Sequence, residues 1–87
     1  MNEHIQEYVV FIEQTRTELH PGRENKVDTR KLVRRYFPEN ISDLVFAIKG
    51  DLHKLKAENA DRGIRVEAEV TGIYMSPKYE KIKIDID

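Results

Sequence analysis

From Ile64 onward the chain keeps a strict beat. Ile64, Val66, Ala68 and Val70 alternate with Arg65, Glu67, Glu69 and Thr71. A period of two is the signature of a strand with one face buried and the other in water. The rest of the chain must therefore supply a cover for that apolar face. Gly72 breaks the alternation, and a glycine there marks a bulge or bend. "SPK" at Ser76–Lys78 turns the chain. Ile82, Ile84 and Ile86 then alternate with Lys81, Lys83 and Asp85. The expectation is an antiparallel hairpin, strands about 64–75 and 80–86, with one face packed on helices.

The clearest cover is a helix over about 41–59. Ile41, Leu44, Val45, Ile48, Leu52 and Leu55 recur at helical spacing. Asn40 or Ser42 can cap its first turn, and "NADRG" ends it, with Gly63 suited to a left-handed position. Pro38, in the tight turn "FPEN", closes whatever precedes it. In "DTRKLVRRYF", Asp28 reads as an N-cap and about 29–37 as a short helix. Thr29, Leu32, Val33, Tyr36 and Phe37 fall on one arc of that helix, and Arg30, Lys31, Arg34 and Arg35 on the opposite arc. Upstream, Ile5, Tyr8, Val9, Ile12 and Leu19 share a helical face, so a first helix is expected over about 3–19, stopped by "HPG". The rival reading is a strand, because "YVVFI" is β-branched and aromatic. A strand there would add to the hairpin and give a different α+β fold.

Eighty-seven residues with 36% charged and 39% apolar side chains make one domain, residues 1–87, and neither a disordered chain nor a membrane span. The absence of cysteine removes disulfides and thiolate metal sites. The start "MNEHIQE" lacks a secretion pattern, and a cytoplasmic protein is expected. The net charge of −1 speaks against a broadly basic nucleic-acid coat but permits a local patch.

Helix, helix, tight turn, helix, hairpin is an element order that resembles the winged helix-turn-helix superfamily. The stretches "DTRKLVRRYFPENISDLVFAIKGDLHKL" and "RGIRVEAEVTGIYMSPKYEKIKIDI" carry the resemblance, over about residues 26–87. It implies an α+β fold of three helices followed by a C-terminal β-hairpin. Residues 41–59 would be the helix that enters a DNA groove, and Ser76–Lys78 the wing tip. The groove-facing side departs from that pattern. It carries Asp43, Phe46, Gly50, His53, Lys54 and Ala57, with no Arg, Asn or Gln at its centre to read base edges.

Two non-enzymatic functions are expected. One is a nucleic-acid-binding or regulatory protein, for DNA or RNA, whose basic arc at Arg30, Lys31, Arg34 and Arg35 meets phosphates, assisted by Lys54 and Lys78. The other is a protein-interaction module, an inhibitor, adaptor or complex subunit. It would use Phe46, which lies opposite the core stripe of its helix, with Gly50, His53 and Ala57 continuing its row. Phe11, also off its stripe, makes a homodimer the natural form of this second reading. His4, His20 and His53 show no ligand spacing, so neither metal nor cofactor is expected. No phosphate loop or nucleophile motif appears in the sequence.

Overall fold

A computed structural model of the chain describes residues 6–57 and 63–86. Four strands and one helix follow in the order β1 (Tyr8–Glu18), β2 (Lys26–Tyr36), α1 (Ile41–Ala57), β3 (Ile64–Met75) and β4 (Glu80–Ile82). They form one antiparallel sheet in the order β2-β1-β3-β4. β2 and β3 both run against β1 and hence parallel to each other, with β1 between them. The segment through α1 is therefore a crossover from one side of β1 to the other.

The expected three-helix, winged-helix-like architecture is overturned by this sheet. Residues 8–18 of the first expected helix are β1, and residues 3–5 lie outside the described residues. The expected helix over 29–37 is the body of β2, and Asp28 caps nothing; it sits in the ladder opposite Arg16. The physical reason is that β-branched side chains lose rotamer freedom on a helix and pack well on a pleated surface. Tyr8, Val10 and Ile12 form the buried row of β1, and Gln14 extends it. An amide at the fourth position disguised the period of two.

α1 packs on this row. Leu44, Ile48 and Leu55 meet Tyr8, Val10, Ile12, Ala68 and Ile73 in one core, flanked by Leu32, Tyr36, Leu52, Val70 and Ile82. Burying a large aliphatic side chain fully contributes roughly 1.5–3 kcal/mol, so this row dominates the fold's stability. Asn40 is the N-cap: its Oδ1 accepts from the Asp43 N–H at 2.9 Å. At the other end, buried Gln14 donates from Nε2 to the Leu55 carbonyl at 3.1 Å. That carbonyl is among the last four of the helix, which have no partner within it. Arg30 Nη2 in turn donates to Gln14 Oε1 at 2.7 Å. One amide thus ties the outer strand, the central strand and the helix end together.

β3 is the strand its alternation predicts, and the bulge falls beside Gly72. Phe11 pairs with Gly72 while Ile12 pairs with Val70, so Thr71 is the extra residue. Its hydroxyl donates to the Phe11 carbonyl at 3.2 Å. The bulge shifts the parity of the strand. Val66 and Ala68 face α1 before it, Ile73 after it, and Gly72 and Tyr74 are turned to the other side. Gly63 has φ 69° and Gly22, in the β1–β2 loop, φ 79°, both in the left-handed region. The return strand is shorter than expected. β4 ends at Ile82, and Ile84 and Ile86 reach the core from an extended tail without a ladder.

Candidate binding face on the open side of the sheet

α1 covers one face of the sheet. Among the described residues, no helix or strand packs over the other. The register lays out the side chains of this open face in rows. Arg35, Val9, Tyr74 and Lys81 form one row, and Val33, Phe11 and Gly72 the next. Lys31, Glu13 and Glu69 follow, then Thr29, Thr15 and Glu67. Such a face is normally polar throughout. Here the upper half has an apolar centre between Arg35 and Lys81: Phe11 and Val33 are 40% and 48% exposed, and Val9 is buried between its neighbours.

Phe11 and Tyr74 stand on the two central strands with ring centroids 5.4 Å apart at 84°, an edge-to-face pair. Gly72 makes their arrangement possible. A Cβ there would lie 2.9 Å from Cε1 of Tyr74, so the Tyr74 ring lies against the glycine backbone. Phe11, Gly72, Tyr74 and Tyr79 line a cleft of about 500 Å³, closed at its polar side by Glu13, Lys31 and Thr71. Tyr79 comes from the turn between β3 and β4. Its φ of 55° is a left-handed conformation that bulky residues rarely adopt, and it is half exposed. Lys78 precedes it, and Lys81 pairs with Tyr74.

The basic residues singled out in the sequence are not one patch. On a strand, successive side chains alternate, so Arg30 and Arg34 share the α1 side with Leu32, and Lys31 and Arg35 lie on the open side. Arg30 is engaged by Gln14, and Arg34 Nη1 lies 3.5 Å from the Val33 carbonyl. Arg35 Nη1 pairs with Glu7 Oε2 at 3.2 Å. Hydrogen bonds from Ser76 and Arg35 hold the Glu7 carboxyl below its ordinary range. Lys54 is exposed on α1, away from the open face, whereas Lys78 precedes Tyr79 in the β3–β4 turn and lines a separate, smaller hollow with Gln6 and Met75.

The expected protein interface is divided in the same way. Phe46 is 81% exposed, and Gly50, His53 and Ala57 are exposed on α1. Phe11 is on the opposite side of the sheet. Val10, absent from the helical face expected of Tyr8, Val9 and Ile12, is fully buried, and Phe37, expected on the apolar arc with Leu32 and Tyr36, is exposed. On the α1 side, Tyr36 donates its hydroxyl to Asp51 Oδ2. Burial first, and then that hydrogen bond, push the phenol well above the ordinary tyrosine range. His20 contacts Glu18 at 3.3 Å, and no cluster of metal-ligand type occurs among the described residues.

Sequence reasoning found Phe11 only as an off-stripe residue and passed over Tyr74 and Tyr79. The available signal was Gly72, since a glycine in a strand leaves room for a neighbouring ring. Neither a family model, nor a curated protein, nor a solved structure matches the chain.

Proposed function

We propose that this is a non-enzymatic module that binds single-stranded DNA or RNA on the open face of its sheet. The observation that carries the reading is the solvent-facing aromatic pair, Phe11 and Tyr74, on the two central strands. Rings on such a platform stack on bases of any sequence, at about 1–3 kcal/mol per base. Lys31 and Lys81 border the platform, Lys78 stands in the turn next to Tyr79, and all three can meet the phosphates that follow a stacked strand. A duplex hides its base faces and fits this surface poorly. The basic stretch of β2 contributes Lys31 to the site, not a continuous phosphate-binding surface.

The test is fluorescence anisotropy with a labelled ten-nucleotide single strand at low salt, beside the matching duplex. The single strand is expected to bind and the duplex to bind more weakly. Phe11→Ala and Tyr74→Ala should each weaken single-strand binding roughly 5- to 150-fold. No detectable binding to either form would overturn the reading.

A second reading has its own observation in Phe46, a large ring on the outward side of α1. Contact there would join two copies of the chain or hold another protein. Sedimentation of the wild type and Phe46→Asp decides it. A wild-type dimer that the substitution dissociates supports the interface, and a wild-type monomer at high concentration removes a homodimer.

A further inference from the structure

We infer that Glu13 and Lys31 make the cleft selective for guanine, the base whose edge matches a carboxylate beside an ammonium. This deepens the proposed function and rests on it. The two residues are direct cross-strand partners at the polar side of the aromatic cleft. On its other flank Glu13 stands opposite Glu69. Among the described residues, the side chains of Glu13, Lys31 and Glu69 form no hydrogen bond or ion pair. Two carboxylates directly opposite on adjacent strands repel each other and work against folding. Glu13 also stands opposite Lys31, and a carboxylate facing an ammonium across the ladder is favourable. Its two neighbours act in opposite directions, and folding singles out no bonded partner for the carboxylate.

Distance and chemistry supply one. Glu13 follows Phe11 by two positions on the same face, about 7 Å along the strand. That is the width of a base, so a ring stacked on Phe11 brings its edge to the carboxylate. Guanine offers two adjacent donors, N1–H and N2–H, which a carboxylate accepts together, and O6 beside them accepts from an ammonium. Cytosine and adenine each offer one exocyclic amino donor with acceptors next to it. Thymine and uracil flank their single N–H with two carbonyl oxygens, which a carboxylate repels. Paired contacts of this kind discriminate bases strongly, commonly about tenfold or more. The order expected is guanine first, cytosine and adenine next, thymine and uracil last.

The experiment uses seven-nucleotide DNA strands of thymidine with a single central guanine, cytosine, adenine or thymine. Their affinities for the full chain are measured by competition against a labelled strand at low salt. The guanine strand should bind about tenfold tighter than the all-thymidine strand, and Glu13→Gln should reduce that ratio to below about threefold. A thermal melt confirms that Glu13→Gln is folded. Guanosine monophosphate as a competitor separates a base within a strand from a free nucleotide. Competition only far above the strand's own concentration range supports the strand. Competition within that range keeps the guanine assignment and moves the ligand to a free nucleotide. Equal binding of all four strands overturns the inference while leaving single-strand binding intact. A guanine preference that survives in Glu13→Gln overturns the assignment to this carboxylate. If no strand binds, or if copies self-associate through this face and exclude strands, the inference falls together with the function it rests on.

Discussion

Tyr36 shows how a single side chain makes the fold sensitive to alkali. Its hydroxyl reaches from the outer strand to Asp51 on α1, in a partly buried position. Burial and the neighbouring carboxylate both oppose loss of the phenolic proton. The folded state therefore keeps a proton that the unfolded chain releases near the ordinary tyrosine value of about 10. The sign follows from linkage: the contribution is complete below that range and is lost as pH rises above it, where only the unfolded state ionises. Tyr36→Phe should cost about 1 kcal/mol at neutral pH, the worth of the hydrogen bond. It should also flatten the alkaline limb of the stability curve. Denaturant titrations at several pH values check both. Parallel alkaline limbs in the two proteins would contradict the assignment.

At the scale of elements, β2 is the instructive case. It lies at the sheet's edge, bonded to β1 alone, and its outer backbone groups are open to another chain. A basic side chain at Lys26, Arg30, Lys31, Arg34 or Arg35 meets any strand that approaches, and two copies of β2 set edge to edge would oppose positive charges. Charge of this kind is a common protection of edges against aggregation. Replacing Lys31 and Arg34 by Val keeps β-propensity and removes charge from both faces of the strand. Light scattering at raised temperature should show that variant aggregating earlier than the wild type, and an unchanged onset would remove the protective role. The same position in the sheet explains why β2 was hard to read. Its first six residues are exposed on both sides and alternation sets in only at Leu32, so its charges fitted a helical wheel as well as a ladder. β1 misled for a different reason, because its inward row runs on into buried Gln14 and half-buried Arg16 instead of apolar residues. β3 and the start of α1, each half-buried with an apolar row or stripe, were legible almost to the residue, and the expected helix end at 58–59 lies outside the described residues. The cleft was not, since it joins Phe11 to Tyr74 and Tyr79 across more than sixty residues. Only the strand register brings them together.

For the whole molecule, the decisive feature is the unequal treatment of the two sheet faces. One face is sealed by α1 and the tail at Ile84 and Ile86, and the other ends half in aromatic rings and half in charge. The net charge of −1 limits how much binding energy can come from long-range attraction. Under the proposed function, affinity for a single strand comes mainly from stacking, with few phosphates neutralised. Lys31 lines the cleft, Lys81 stands beside Tyr74 and Lys78 precedes Tyr79 in the turn, while Arg35 is paired with Glu7 and Lys54 lies on the far side. Three phosphate contacts to a single strand give a slope of about −2 for the logarithm of the binding constant against that of salt. Lys81→Met should make the slope shallower by about 0.7, the share of one contact. Lys54→Met should leave it unchanged. Anisotropy titrations across a range of salt concentrations measure all three. A wild-type slope near −5 would place the strand on a wider basic path than the open face provides, and an effect of Lys54→Met as large as that of Lys81→Met would put it on the helix side.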